Sequence, residues 1–391
     1  MKVLYCNPIA LDYRIPFYKR LNELLEGSFF FLYSETRYKQ TGREDLMKKL
    51  VEVLGENAIP YKGERIFNTY TKSFTKYSSE RGQRIPFTFG LFGKIRKERP
   101  DVLITEGFFQ WTPLIILYSI IFHTPVFIGY ERTPWTERNV KWWQTLQRKI
   151  TDKFVRGYLV NGSETKRYLM SIGVKEEKIH IGGMSADSEG LRQGIASMTA
   201  EEKTSLRKRF INEPGLVFLF SGRVSVLKGA DLLLSAWEKH VLKYPHDHII
   251  LIGHGDLSDT MEQKYKDIPS VHLMGKIPYN EVHKYYAISD VFILPTLTDN
   301  WSLVIPEAMS CGLPVTTSIY NGCHPELVHE GENGCTFDTF DQESILKALD
   351  YFHHVDMKEH GRKSIELEKE FNTENSARRE YEGIMKGLGV R

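Results

Sequence analysis

The residues with the most chemical content are two carboxylates, Asp299 and Glu307, placed around a helix start with seven residues between them. Val291 to Pro295 reads as a buried parallel strand, Thr296 to Ser302 as a loop, and Leu303 to Cys311 as a helix closed by Gly312. A phosphate at that helix start would meet the backbone N–H groups of Leu303 and Val304, which lack partners within the helix, and the positive end of the dipole. Asp299 then faces the ligand from the loop, and Glu307 lies more than one turn into the helix. On its own, a carboxylate pair at this spacing is more commonly two solvated side chains, so the surroundings decide. Arg223 and Lys228 follow another apolar stretch, Leu216 to Ser221. They read either as a surface loop pair or as cations that stabilise charge developing on a departing phosphate.

The surrounding motifs favour the second reading. Phe220-Ser221-Gly222-Arg223 and Lys228-Gly229 come first, Ala308-Met309 and Gly312-Leu313-Pro314-Val315 follow Glu307, and Asn321-Gly322-Cys323-His324-Pro325-Glu326 and Glu330-Gly331-Glu332-Asn333-Gly334 come last. In this order, over roughly residues 216 to 340, the set resembles the signature of the family 4 retaining glycosyltransferases. Two places depart from it: Asp299 stands where a Glu is usual, and Asn300-Trp301-Ser302 replaces a Gly-Phe-Gly turn.

The resemblance implies transfer of a sugar, with retention, from a UDP- or GDP-sugar to a hydroxyl of a glycan or lipid-linked acceptor, without a cofactor, in cell-surface polysaccharide or glycolipid assembly. It implies catalytic roles for Arg223, Lys228, Asp299 and Glu307. The two cations would neutralise the diphosphate, Glu307 would accept from both ribose hydroxyls, and Asp299 would meet the transferred sugar. Donor contact is implied for Gly222, Gly275, Lys276, Ile277, Asn300, Trp301, Ser302, Leu303 and Val304, although Gly275 to Ile277 reads almost equally as a plain loop. On the acceptor side, Tyr13 to Tyr18 resembles a version seen in polysaccharide-assembly members and contributes Arg14. Glu106 and Glu131 follow strands and read equally as acceptor ligands or as structural salt bridges. Asn7-Pro8-Ile9-Ala10 replaces the family's Gly-rich first turn.

Metal independence is the expectation, because no Asp-x-Asp pair occurs. His246 and His248 begin a strand whose alternation points both the same way, a pattern more often exposed than ligating. Two other readings stay open: a hydrolysing nucleotide-sugar epimerase, and a non-catalytic nucleotide-sugar or glycan-binding protein.

A chain of 391 residues is longer than one core usually serves, and its composition is globular. Strands alternating with helices form two successive series, implying two doubly wound α/β, Rossmann-like domains facing a cleft, the GT-B arrangement. The boundaries fall at residues 1–186 (acceptor domain), 187–370 (donor domain) and 371–391, a C-terminal helix that the resemblance carries back onto the first domain. Four cysteines without metal-ligand spacing, and no secretory leader, suggest a reducing cytoplasm. The uncharged run Trp111 to Tyr130 reads as a buried helix, Leu114 to Phe122, followed by a strand rather than as a membrane span.

Net charge is only +2, yet residues 61–100 carry ten Lys and Arg against three Glu, interleaved with aromatics from Tyr61 to Phe92. That segment, taken as 61–99, reads as a surface for anionic membrane on the inner face of the cell, or as a solvated loop whose aromatics are partly core. Nucleic acid is not expected, since no reader motif accompanies the charge.

Overall fold

The computed structural model describes residues 1–68, 84–186 and 188–390. The described residues divide into two compact units: 1–68, 84–185 and 373–390 in the first, and 186 and 188–372 in the second.

The first unit is built on a parallel sheet of seven strands, in the order β3-β2-β1-β6-β7-β8-β9. These are β1 (Val3–Cys6), β2 (Phe29–Ser34), β3 (Ala58–Tyr61), β6 (Val102–Glu106), β7 (Val126–Tyr130), β8 (Gly157–Val160) and β9 (Ile179–Ile181). A separate antiparallel hairpin pairs β4 (Glu64–Asn68) with β5 (Arg84–Thr88). Helices cover both faces, so the strands are apolar on both sides. Successive side chains alternate between two cores. Leu4, Cys6, Leu103 and Ile128 join one, with Ile95, Ile115 and Tyr168 from the helices. Val3, Tyr5, Ile104 and Phe127 join the other, with Tyr18, Ala377 and Ile384.

The C-terminal helix, Thr373–Leu388, lies on the second of these faces and packs on the helix Ile15–Leu24, as expected from the resemblance. Gly383 and Gly387 permit that approach. A Cβ on Gly383 would sit 2.7 Å from the His180 Cβ, and one on Gly387 would sit 2.5 Å from the Phe127 ring.

The second unit has six parallel strands in the order β12-β11-β10-β13-β14-β15. They are β10 (Val217–Ser221), β11 (His248–Ile252), β12 (Val271–Leu273), β13 (Val291–Leu294), β14 (Val315–Ser318) and β15 (Gly334–Phe337). Strand order reverses between β10 and β13 here, and between β1 and β6 in the first unit. Ligands of open α/β sheets bind beyond the carboxyl ends of the strands at such a reversal.

One sequence expectation changes, and the described part of the basic segment follows its second reading, with aromatics partly in the core. The helix Thr112–Phe122, expected to be buried, turns Leu117, Ile120 and Ile121 to solvent at 44 to 52% exposure. Within the basic segment, Tyr61 is buried and donates to the Phe89 carbonyl at 2.6 Å, Glu64 forms a buried ion pair with Arg37, and Phe92 packs on the core. Tyr70, Lys72, Phe74, Lys76, Tyr77 and Arg81 lie outside the described residues. No helix among the described residues is long and apolar enough to cross a membrane.

Candidate functional site

The second unit gathers its motifs at the strand-order reversal. After β10 the chain passes Gly222 and Arg223 and makes a single tight turn, Val226–Lys228. Gly229, at φ +69, lets that turn lie against the end of β13, because a Cβ there would stand 2.0 Å from the Pro295 carbonyl oxygen. Leu297 N–H donates to the Leu227 carbonyl at 2.9 Å and locks the two loops together. Lys228 is thereby delivered to Asp299, and the two form an ion pair.

Asp299 is held from several sides. Its Oδ2 accepts from the Lys228 ammonium and the Ser302 hydroxyl, and its Oδ1 from the Trp301 N–H at 3.2 Å. Its backbone is clamped by the loop after β14, with Asp299 N–H donating to Tyr320 and Gly322 N–H donating to Asp299. Burial raises the Asp299 pKa, but the Lys228 charge and these hydrogen bonds outweigh it and keep the carboxylate below its ordinary 3.8. Asp299, expected to meet the sugar, therefore also orients the cation. Ser302 fills a position where a glycine is usual and supplies a hydroxyl that this shorter carboxylate uses.

Asn321 is buried and braces the turn, accepting from Ser302 N–H at 3.3 Å and donating to the Thr317 hydroxyl at 3.1 Å. The helix Val304–Ser310 starts beyond it, and the N–H groups of Leu303 and Val304 have no protein acceptor among the described residues. Glu307 is half-buried, with the Tyr279 and Tyr286 hydroxyls at 3.5 and 3.4 Å from its oxygens. Arg223 is exposed and makes no ion pair among the described residues. Trp301 differs from its expected place at the ligand. It is 5% exposed and packs on Phe371 at 5.9 Å between ring centroids, so its side chain serves the fold.

Gly222 N–H donates to Ile252 at 2.9 Å and Gly253 N–H to Gly275 at 2.8 Å, so the ends of β10, β11 and β12 are tied in a row. A Cβ on Gly253 would lie 1.7 Å from the Gly222 carbonyl oxygen, which explains a glycine there. Sequence reading missed this Gly253-His254-Gly255 turn, whose two glycines directly after a strand were the available signal. It also missed Tyr279 and Tyr286, which carry none. Lys276 is exposed and Ile277 half-buried on the loop after β12.

At the other end of this sheet, the strand whose alternation was expected to expose His246 and His248 behaves differently. His246 is exposed, but His248 contacts His272 at 2.9 Å between ring nitrogens. Asp247 between them is buried and accepts from His240 and His353, both at 2.8 Å, tying two helix ends to the strand.

In the first unit, Arg14 joins the two carboxylates named from the sequence, with Glu106 at 2.9 Å and Glu131 at 3.0 Å. Tyr5 donates to Glu106, and Arg14 donates to the Tyr5 oxygen at 3.1 Å. Glu380 of the C-terminal helix is buried nearby, and its Oε1 has no hydrogen-bond partner among the described residues. Burial pushes its carboxyl up to about 7; the charges of Glu106 and Glu131 add to this and Arg14 opposes it.

Residues 215–353 match the family "Glycosyl transferases group 1". The structure of a glycosyltransferase from Rickettsia africae aligns over 99% of this chain and 98% of its own, at a TM-score of 0.72 and 14% identity. The chain is GT-B in fold, and residues 215–353 are similar in sequence to the group 1 glycosyl transferases. Anabaena HepE in complex with UDP aligns over 98% of this chain and 99% of its own, at a TM-score of 0.71 and 14% identity. The sulfoquinovosyl transferase SQD2 of Arabidopsis thaliana is 26% identical over 287 residues, 68% of this chain and 53% of that protein. The chain thus spans about half the length of that curated relative. The matched residues include Arg223, Lys228, Asp299 and Glu307.

Proposed function

We propose that the chain is a glycosyltransferase that moves a sugar from a nucleotide-sugar donor to a hydroxyl of a glycan or lipid-linked acceptor, retaining the anomeric configuration and using no metal. The observation that carries this reading is the convergence of the exposed Arg223, the Asp299-paired Lys228 and Glu307 at one strand-order reversal inside the group 1 domain. Arg223 and Lys228 meet the diphosphate together with the N–H groups of Leu303 and Val304. Glu307 takes the ribose hydroxyls, and the Asp299 loop faces the sugar.

UDP is the favoured nucleotide, since the HepE structure holds UDP on the same fold. Glu106 and Glu131 serve the acceptor, with Arg14 holding both in place. Charge that develops on the diphosphate as it leaves is balanced by groups already in place, which is where electrostatic catalysis is largest.

A thermal-shift screen of nucleotide sugars, followed by an assay of nucleoside diphosphate release, tests the proposal. A donor at a hundred times its dissociation constant stabilises by about 2.7 kcal/mol. If no nucleotide sugar shifts the melting temperature and none is turned over, the proposal fails. Binding without turnover would favour the non-catalytic alternative.

A further inference from the structure

The helix Thr112–Phe122 is apolar on all sides, and helices of that kind are ordinarily enclosed. Here Ile115, Ile116 and Tyr118 face the core, while Leu117, Ile120 and Ile121 are exposed. The next helix, Trp142–Asp152, presents Trp142, Leu146 and Ile150 at intervals of four, at 78, 49 and 50% exposure. Its inner side is fixed by Arg148, buried in a pair with Glu137 at 2.7 Å. Both helices lie on one side of the sheet, because β6, β7 and β8 are successive parallel neighbours and such crossovers are right-handed.

Beside this apolar surface runs a cationic one. Arg96, Lys97 and Arg99, at the end of the helix Leu91–Glu98, line a concavity of about 670 Å³ with Tyr118 and Phe122. Lys149 and Lys153 stand exposed along the Trp142–Ile150 stripe. The neighbouring acids are already engaged: Glu98 by Lys2 and Lys94, Asp152 by Lys178, Glu137 by Arg132 and Arg148, and Asp101 by the Lys2 N–H. The face is therefore both apolar and net positive. A second copy docking through the same face about a twofold axis would set these cations against each other. Aliphatic and Trp side chains beside lysine and arginine suit a boundary between lipid headgroups and acyl chains.

We propose that this face docks on an anionic phospholipid bilayer. The headgroup phosphates meet Arg96, Lys97 and Arg99 in the concavity, and Leu117, Ile120, Ile121 and Trp142 enter the acyl boundary. The proposal does not depend on the transferase reading, since it concerns a surface remote in sequence from the group 1 domain and is read by partition alone.

The test is sedimentation of the full chain with vesicles of phosphatidylcholine alone, or with phosphatidylglycerol added, at low and high salt. Binding is expected only with phosphatidylglycerol and should weaken with salt. Arg96→Ala, Lys97→Ala and Arg99→Ala together should lower the partition on the order of a hundredfold, from about fivefold per charge. Ile120→Ser with Trp142→Ser should lower it while the melting temperature holds, because neither side chain belongs to the buried core. Failure to bind anionic vesicles would overturn the proposal, as would binding that neither variant reduces. A lipid-free dimer dispersed by Ile120→Ser with Trp142→Ser, in a protein that ignores vesicles, would also overturn it and place a second copy on the face.

Discussion

The two strand-order reversals use similar residues to opposite ends. In the first unit, beyond β1 and β6, Arg14 is enclosed by Glu106 and Glu131, with Glu380 close by and Tyr5 hydrogen-bonded to Glu106. In the second, beyond β10 and β13, Arg223 is exposed, and only Lys228 is paired, with a carboxylate that aims it. An arginine surrounded by acids has its charge already satisfied and holds structure. An arginine left in water can still be attracted to an incoming phosphate. The lesson is that a cation at a strand end is read by what already neutralises it.

The sharpest way to break this comparison is to truncate both arginines. Arg14→Ala strands partly buried carboxylates and should cost about 3 to 5 kcal/mol of stability, measured by denaturant unfolding. Arg223→Ala should change stability by no more than about 0.5 kcal/mol, yet slow turnover on the order of a hundredfold. Lys228→Ala should match it in kcat and, unlike it, also lower stability, because Asp299 loses its counter-charge. Equal stability losses for Arg14→Ala and Arg223→Ala would erase the distinction.

Glu380 gives a pH signature to the first unit. Its folded value of about 7 lies above its ordinary 4.5, so the folded state binds the extra proton between these limits. The stability this group contributes is therefore complete below about pH 4.5 and is lost as pH rises through about 7, by about 3 kcal/mol in total. Glu380→Gln keeps the shape and removes the proton equilibrium, so unfolding free energies of the two proteins should diverge toward high pH. Parallel curves from pH 5 to pH 8 would show that Glu380 ionises freely in the fold.

Smaller effects sharpen the second unit. Glu307→Ala should weaken the free nucleoside diphosphate by roughly 1.5 to 3 kcal/mol in calorimetry, as for hydrogen bonds to a charged group. Asp299→Asn should leave that affinity closer to the parent while lowering turnover, since it unaims Lys228 without touching Glu307. Equal losses would place both carboxylates on one part of the ligand. A chelator should change activity least of all, and activity lost to chelation and restored by magnesium would overturn metal independence.

Much of this was legible in one dimension. Continuous apolar runs such as Phe29–Ser34 and Val126–Tyr130, too short for helices and rich in aromatic or branched residues, read as parallel strands covered on both faces, and their alternation with helices points to doubly wound sheets. The Lys228-Gly229 pair was legible through its resemblance to the family motif, and the structure supplies the reason for it: at φ +69 with no room for a Cβ, position 229 must be glycine. Short strands with few branched residues, such as Ala58–Tyr61 and Gly334–Phe337, left no comparable signal. Their pairing is supplied by neighbours distant in sequence.

What the sequence determined by itself was the period of its apolar residues and the local geometry of its turns, since both depend on side chains a few positions apart. Tertiary structure alone decided which charges meet: Lys228 with Asp299, Arg14 with two glutamates, and Glu380 with its ordinary ionisation suppressed. It also decided that the apolar helix Thr112–Phe122 would keep a wet face. Those outcomes depend on contacts between residues far apart in the chain and on the exclusion of water around them, and neither quantity exists until the sheets have formed.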